Sequence, residues 1–175
     1  MVGSRGGYGG NSIETVQSSG FKVHSWFAMF VKFFGAMGVP RSGVVATIRR
    51  FEDVESWNQA RQLARMIYAC SDKGGFTRDF GLKNQIRRAA VSVMSNIAEG
   101  FGRGGNKEFI QFLSTARGSV SEVQSQLYVA LDVGYITADK FEKLYSQSTS
   151  TSNTISGFIR YLCNSSLKGT KYKAP

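Results

Sequence analysis

Two amphipathic segments joined by a glycine-rich corner, within residues 85–122, constrain the fold of this 175-residue chain more than any other stretch. In the first segment, apolar residues recur every three or four positions, which places them on one face of a helix. These residues are Ile86, Ala90, Val93, Ile97 and Phe101. The glycines at 102, 104 and 105 then end the helix, because glycine tolerates a positive φ, and Asn106 is a suitable N-cap for the next one. The pattern predicts a helical hairpin.

The same period continues on both sides of this hairpin and predicts four helices. Helix one is expected to begin near Asp53, a good N-cap residue, and to run to about residue 70. Helix two spans about 80–101, helix three about 107–133, and helix four begins at Thr137 and runs to about residue 162. Four helices of this length with short connections predict an all-α, antiparallel, up-down-up-down four-helix bundle over residues 51–163.

The last two predicted helices carry long seams. The seam of helix three has heptad-like spacing and ends before Gly134, which stops the helix. Its members are Phe109, Phe112, Ala116, Val120, Val123, Leu127 and Ala130. Helix four keeps the spacing with Phe141, Leu144, Ser148, Thr151, Ile155, Phe158 and Leu162. Its middle, SQSTSTSNT, is poor in helix formers, so we expect only tertiary packing to hold it helical.

Residues 1–50 and 164–175 lie outside the predicted bundle. The first twenty are rich in glycine and serine without an apolar period, which is typical of disorder. The hydrophobic stretch that follows is interrupted by Lys32 and is too short to cross a bilayer, so we expect no stable membrane insertion, although a membrane-surface helix is an alternative. We interpret residues 1–50 as a flexible basic extension, either an appendage of the bundle or an upstream stretch absent from the native product, and residues 164–175 as a basic tail.

Charge and rare residues exclude several classes of protein. A formal charge of +10 favours an acidic partner, with nucleic acid first and anionic membrane second. Cys70 and Cys163 lie 93 positions apart and no CxxC occurs, which indicates neither a disulfide framework nor a zinc site and suits a reducing cytoplasm. His24, the only histidine, precedes the bundle, so a histidine-based triad or multi-histidine metal site is excluded there. We expect no catalytic residues, metal or cofactor.

The run QIRRAAVSVMSNIAEGFGR, followed by KEFIQFLSTARGSVSE, resembles the four-helix-bundle proteins encoded in intervening sequences of bacterial 23S ribosomal RNA genes. The same fold family includes accessory proteins of diversity-generating retroelements, which partner a reverse transcriptase. The resemblance extends more loosely from about Phe51 to Leu162. It implies a non-enzymatic bundle that assembles as a ring-like homo-oligomer, in known relatives a pentamer.

A polar stripe on helix two comprises Ser92, Ser95, Asn96 and Glu99. An enzymatic hypothesis would make Glu99 a general base and one serine a nucleophile, but no aligned base is indicated and Glu99 is explained by pairing with Arg103 four residues later. We therefore predict that the stripe forms hydrogen bonds across a helix–helix or subunit contact. A metal-dependent nuclease is disfavoured because Glu99, Glu108 and Glu122 are too dispersed to be ligands.

Basic residues around the glycine corner form the predicted nucleic-acid-binding set, namely Arg87, Arg88, Arg103, Lys107 and Arg117. The corner lacks GxxxxGK[ST] and joins two helices, so it is not a phosphate loop of the nucleotide-binding type. The set suits contacts to an RNA or DNA backbone without base readout, because no aromatic stacking motif accompanies it. For any single residue, an ordinary solvated face is the alternative.

Two hypotheses on function follow from charge and resemblance. The first is a nucleic-acid-associated ring protein tied to ribosomal RNA or its intervening sequence. The second is a protein-interaction adaptor that holds a reverse transcriptase or another protein partner. Location within a 23S ribosomal RNA gene would favour the first, and a neighbouring reverse transcriptase gene the second.

Overall fold

A computed structural model describes residues 48–164 and confirms the predicted all-α four-helix bundle. The helices are α1 (Glu55–Ser71), α2 (Phe80–Gly102), α3 (Asn106–Asp132) and α4 (Ala138–Asn164). Single 3-10 turns at Phe51–Asp53 and Gly74–Arg78 precede α1 and α2, and no strand occurs between residues 48 and 164. The predictions for residues 1–47 and for the tail from residue 165 fall outside the described residues.

Each helix packs against the next in the chain, and α4 returns to pack against α1. The bundle is therefore closed, with a core made from one face of every helix. Near the connection between α1 and α2 this core includes Ile67, Phe76 and Leu127, and near the glycine corner it includes Ile97 and Leu113. All five side chains are almost completely buried.

The glycines predicted to end α2 and α3 are confirmed at Gly104 and Gly134, whereas the predictions of N-cap residues are less accurate. Gly104 and Gly134 have φ values of 69° and 72°, as the termination signals required. The hydroxyl of Thr137 accepts a hydrogen bond from the backbone N–H of Lys140 at 3.3 Å, which caps α4. Gly105, and not Asn106, is the N-cap of α3, because the helix already begins at Asn106.

The prediction that Asp53 caps the first helix is wrong, because Val54 occupies that position. The Asp53 carboxylate instead accepts hydrogen bonds from the backbone N–H groups of Arg49 and Arg50, at 2.9 and 3.1 Å. These two bonds lower the pKa of Asp53 and close the 3-10 turn in front of α1. The Asp53 carboxylate therefore stabilises the 3-10 turn before α1 and not the helix itself. The sequence pattern of a helix start does not distinguish these two roles.

The seam of α3 contains Leu113 where the heptad-like spacing placed Phe112. Leu113 is fully buried, whereas Phe112 is half-buried. Both positions follow Phe109 at a helical interval, three or four residues on, so the period alone does not choose between them. The larger ring lies over α2, beside Gly100 and Arg103.

The hydroxyl-rich middle of α4 is continuous helix. Ser148 and Thr151 are fully buried, and their hydroxyls donate to the carbonyl oxygens of Tyr145 and Gln147, at 2.7 and 2.8 Å. Each hydroxyl is therefore satisfied within its own helix, so the bundle can bury two small polar residues without the penalty of an unpaired group. Packing against α1 and α3 supplies the stabilisation that this segment, with its low intrinsic helix propensity, lacks.

Gly100 sets the distance between α2 and α3. A Cβ atom at this position would lie 2.6 Å from Cβ of Phe112 and 2.7 Å from Cδ2 of Phe109. Contacts this short require the backbones to separate or the aromatic side chains to move. The absent side chain thus permits two phenylalanines of α3 to cross α2 closely.

Replacing Gly100 with Ala should destabilise the bundle by about 1–3 kcal/mol, because the new methyl group overpacks the contact with Phe109 and Phe112. Urea unfolding followed by circular dichroism measures the change. Gly118→Ala is the matched control, since no atom lies within 4 Å of a Cβ built there on α3. That variant should be stabilised by about 0.5–1 kcal/mol through helix propensity alone. Equal changes in the free energy of unfolding for Gly100→Ala and Gly118→Ala would contradict the close packing of α2 and α3 at Gly100.

Candidate nucleic-acid interface

Arg87 joins α2 to the end of α1. Its Nε donates to the Ser71 hydroxyl at 2.7 Å, and a terminal nitrogen lies 3.2 Å from a carboxylate oxygen of Asp72. The guanidinium also lies over the Tyr68 ring, with Cζ 4.5 Å from the centroid. With only 19% of the side chain exposed, Arg87 is a structural link whose charge is already matched.

Asp72 is the acidic centre of this link. Lys83 and Arg87 both donate to the same carboxylate oxygen, at 3.3 and 3.2 Å. Hydrogen bonds from these two cations lower the pKa of Asp72, with the Lys83 bond the larger cause. The connection between α1 and α2 therefore ends in a small network of one anion and two cations.

Arg103 stands at the glycine corner and is paired with Glu99 one helical turn earlier. The hydrogen bond with Glu99 raises the pKa of Arg103, and the guanidinium lies 5.5 Å from the centroid of Phe112. About half of each side chain is exposed, so the pair is solvated. A phosphate would have to compete with Glu99 for this cation.

Arg88, Lys107 and Arg117 are exposed, and none forms an ion pair with an acid between residues 48 and 164. Such cations have their charge available for an external anion. They are the part of the predicted set that best suits phosphate contacts.

The bundle does not bring the five predicted basic residues together at one corner. Arg103 and Lys107 flank the glycine turn, but Arg88 lies within α2, fifteen residues before the C-cap residue Arg103, which is about 22 Å along the helix axis. Arg117 is on a different side of α3. Gln124, one heptad further on, hydrogen-bonds to Thr149 of α4 at 3.2 Å, which places this side of α3 towards α4. The free cations are thus distributed over the bundle surface.

The polar stripe of α2 includes one bond that crosses between helices. The hydroxyls of Ser92 and Ser119 are 2.9 Å apart and link α2 to α3. Asn96 donates to the carbonyl oxygen of Ser92 at 2.8 Å and to its hydroxyl at 3.0 Å, which orients the serine. Ser95 is exposed and Glu99 pairs with Arg103, so these two members of the stripe do not join the inter-helix bond.

Sequence reasoning missed the partners that complete these contacts. Helix one was predicted to end near residue 70, whereas Ser71 is the last residue of α1 and is completely buried, and Asp72 follows it as the C-cap. Ser119 lies between two seam residues of α3, where its small size and polarity gave no signal. A serine on each of two helices identifies an inter-helix hydrogen bond only when it is already known which helices pack together and through which faces.

The described part of the chain contains no group of three or more His, Cys, Asp or Glu residues arranged to hold a metal ion. In the same range, no helix combines the length and apolarity needed to cross a bilayer. Cys70 is buried in the core and Cys163 is exposed near the end of α4, and both are free thiols. His24 lies outside the described residues.

A closed antiparallel bundle with unpaired surface cations defines this protein as an all-α helical-bundle protein. The model of the 23S rRNA-intervening sequence protein family matches residues 52–157, more than half of the chain. The chain belongs to that family.

The fold is shared with a solved structure of a protein of unknown function from the S23 ribosomal protein family of Bacteroides thetaiotaomicron. The two chains are 22% identical with a TM-score of 0.55, and the match covers 60% of this chain and 98% of the other. A comparison with curated proteins gives no significant match. The similarity at this level of identity supports the helical architecture.

Replacing Arg87 with Gln should lower the free energy of unfolding by about 1–3 kcal/mol, because it removes the charged donor to the buried Ser71 hydroxyl. The substitution also removes one of the two cations that contact the exposed Asp72 carboxylate. The stabilising effect of the lowered Asp72 pKa is complete at neutral pH and is lost as pH falls through that pKa, so the variant should also show a weaker loss of stability in acid. Denaturant unfolding from pH 7 to pH 2.5 measures both. Arg88→Gln, an exposed neighbour, is the control and should change stability by less than about 0.5 kcal/mol.

The Ser92–Ser119 bond predicts energetic coupling between α2 and α3. Ser92→Ala and Ser119→Ala should each cost about 1 kcal/mol, and the double variant should cost less than their sum by about 0.5–1 kcal/mol. A double-mutant cycle by urea unfolding tests this. Ser95→Ala, on the exposed part of the stripe, should be additive with Ser119→Ala, whereas coupling of that pair would contradict the assignment.

Proposed function

We propose that this protein is a non-enzymatic helical bundle that forms a ring-like homo-oligomer and associates with the backbone of nucleic acid. The observation that carries the proposal is the set of exposed cations Arg88, Lys107 and Arg117, which have no acidic partner between residues 48 and 164. Phosphate contacts by Lys and Arg supply sequence-independent affinity, which is the kind of binding that scattered surface cations provide.

Overall charge supports the same partner. Residues 48–164 contain fifteen Lys or Arg and eleven Asp or Glu, a net charge of +4, and the rest of the chain contributes the other +6. The excess therefore exists in the bundle as well as in the flanking segments. A basic surface attracts polyanions over distances comparable to the Debye length.

A ring would increase the effect of weak contacts. The same cations from several subunits would contact one nucleic-acid strand, so the affinity of the assembly would exceed that of a single bundle.

Exposed apolar side chains support self-association. Phe80 begins α2 and Val133 follows α3 at the same end of the bundle, and these residues are 71% and 53% exposed. By resemblance to known relatives, we expect a pentamer. Free thiols at Cys70 and Cys163 suit a cytoplasmic site of action.

The alternative function is an adaptor that binds a reverse transcriptase or another protein, as in diversity-generating retroelements. The same exposed apolar residues, together with Val91 and Val129, favour it, because a protein partner could cover them instead of a second copy. The neighbouring genes discriminate between the two functions.

Binding of structured RNA should weaken steeply with salt, and Arg88→Gln/Arg117→Gln should reduce the slope of log affinity against log salt by about 1.5. Fluorescence anisotropy with light scattering on the same samples measures affinity and oligomeric state. The control is Arg50→Gln/Arg103→Gln, which removes the same charge from two cations already paired with Glu52 and Glu99. Equal losses in both variants would show that only net charge matters, and no binding by the unmodified protein would contradict the nucleic-acid function.

A further inference from the structure

The large exposed apolar side chains lie on two sides of the bundle. Six of them between residues 48 and 164 are 40% or more exposed. The helices α1 and α2 contribute Tyr68, Phe80 and Val91. The end of α3 contributes Tyr128, Val129 and Val133. Grouped exposed apolar side chains mark protein–protein contacts more often than single ones do.

The first group lies on the outer side of the contact between α1 and α2. The Arg87 guanidinium covers the Tyr68 ring, with Cζ 4.5 Å from the centroid, so Tyr68 faces α2. Val91 follows Arg87 by one helical turn and Phe80 precedes it by two turns, so all three lie along one side of α2. The three apolar side chains are therefore presented on one face of the α1–α2 hairpin.

Two arginines that form no ion pair between residues 48 and 164 accompany this group. Arg61 and Arg65 precede Tyr68 by seven and three residues, which places all three on the same side of α1. Both arginines are exposed. Arg61 lies over the Trp57 ring, with Cζ 5.8 Å from the centroid, and this contact leaves its charge unmatched.

The charged groups beside Tyr68 and Phe80 do not cancel this positive charge. Lys83 and Arg87 share the single carboxylate of Asp72. Asp79 is the acid next to Phe80, and it accepts a hydrogen bond from the backbone N–H of Leu82 as the cap of α2. Four cations against two carboxylates leave this face positive. We define the basic surface as Arg61, Arg65, Tyr68, Phe80 and Val91.

The second group lies on the outer side of the contact between α3 and α4. The Tyr128 ring packs against Phe141 and Tyr145 of α4, with centroids 4.8 and 5.7 Å apart. Val129 is the next residue of α3, and Val133 follows it by one turn. These side chains therefore occupy the exposed side of α3 near its C-terminal end.

Two carboxylates that form no ion pair in the described part of the chain accompany this second group. Asp132 is exposed and follows Tyr128 by one helical turn. A hydrogen bond with Tyr145 raises the pKa of Tyr128, and the charge of Glu142 adds to that rise, which places the Glu142 carboxylate near the same ring. We define the acidic surface as Tyr128, Val129, Asp132, Val133 and Glu142.

The lysines of α4 that are nearest to Glu142 in sequence lie towards α1. Lys143 lines a groove between α1 and α4, and Glu142 lies at the edge between this groove and the acidic surface. Burial raises the pKa of the Cys70 thiol near the end of α1, and the charge of Lys140 opposes this rise, so that ammonium group lies near Cys70. The acidic surface therefore keeps its negative charge.

The two surfaces lie on opposite sides of the bundle, because α1 and α3 each pack against α2 and α4. Neither surface suits a two-fold contact with itself, since like charges would then face each other. The basic surface of one copy instead complements the acidic surface of another. A contact between two different surfaces repeats from copy to copy and forms a ring when the rotation closes.

We propose that a second copy of this chain occupies each surface, with the basic surface of one subunit packed head-to-tail on the acidic surface of its neighbour. The inference rests on the proposed ring-like homo-oligomer and gives it an interface. The two arginines face the two carboxylates of the neighbour, and the apolar side chains of both surfaces are buried between them. Arg88, Lys107 and Arg117 belong to neither surface, so the cations proposed for nucleic acid stay accessible.

Charge reversal on the full chain tests the contact by light scattering over a dilution series without nucleic acid. Arg61→Glu/Arg65→Glu and Asp132→Lys/Glu142→Lys should each raise the concentration of half-dissociation by about tenfold or more, because like charges then face each other. The quadruple variant that combines both reversals restores opposite charges across the contact. It should recover the mass of the unmodified oligomer.

Net charge alone predicts a different pattern. Arg61→Glu/Arg65→Glu lowers the net charge of +10, which by itself would reduce repulsion between copies and favour assembly. Arg117→Glu/Arg160→Glu makes the same change on exposed cations outside both surfaces and is the matched control. This control should leave the mass of the oligomer unchanged.

The apolar part of the contact is tested by Phe80→Ser, which alters a side chain that is mostly exposed in the single bundle. This variant should also weaken assembly by about tenfold, and unchanged assembly would overturn the burial of the apolar side chains in the contact. Circular dichroism shows whether each variant is folded. For a reversal that unfolds the chain, Arg61→Gln/Arg65→Gln or Asp132→Asn/Glu142→Gln is the second variant and should weaken assembly in the same direction.

The outcomes separate this interface from the ring itself. If the unmodified protein is an oligomer whose mass neither reversal changes, the assignment of the surfaces is overturned and the ring stands. If both reversals dissociate the oligomer but the quadruple variant does not reassemble, the pairing of the two surfaces is overturned. Equal dissociation of the control also overturns the assignment. An unmodified protein that is monomeric at every concentration overturns both the ring and its interface.

Discussion

The contact between α2 and α3 at Gly100 is the constraint on which the rest of the bundle depends. Phe109 and Phe112 lie so close to this glycine that one additional carbon atom would collide with both. This places the two helices at a short separation, and the Ser92–Ser119 bond can then form two turns away at 2.9 Å. The remaining helices complete a core whose dimensions this pair has already set.

Buried polar groups in the bundle determine how the helices are aligned more than they add to the free energy of unfolding. Ser71 is buried with Arg87 as its donor, and Ser148 and Thr151 are satisfied within α4. A rotation or shift of α1 against α2 would separate the Ser71 hydroxyl from Arg87, whereas the bonds of Ser148 and Thr151 lie within α4 and do not depend on its alignment. The apolar seams define which faces are buried, whereas the inter-helix bonds Arg87–Ser71 and Ser92–Ser119 fix how the helices are aligned along their axes.

The fold was accessible from the sequence because helical period, glycine stops and short connections all agree over four segments. The glycines at 104 and 134 were assigned correctly since their positive φ is a local requirement. The predicted seam contained Phe112 and omitted Leu113, although both fit the period, and the positions of the neighbouring helices leave Leu113 fully buried and Phe112 half-buried. Likewise, Asp53 was misassigned because an acidic residue near a helix start can equally close a preceding turn.

The predicted basic set shows why charge is harder to predict than fold. Residue type gives Arg87 and Arg88 the same formal charge, but one faces Asp72 and the other faces solvent. Whether a cation is available depends on residues from another helix, which the spacing along one helix does not contain.

The hydroxyl-rich middle of α4 has a consequence for how the bundle unfolds. A segment with so little intrinsic helix propensity loses its structure when its neighbours withdraw, and it offers no stable helical intermediate of its own. The helical structure of α4 therefore depends on its packing against α1 and α3, and its fully buried middle at Ser148 and Thr151 can lose that structure only when this packing is broken.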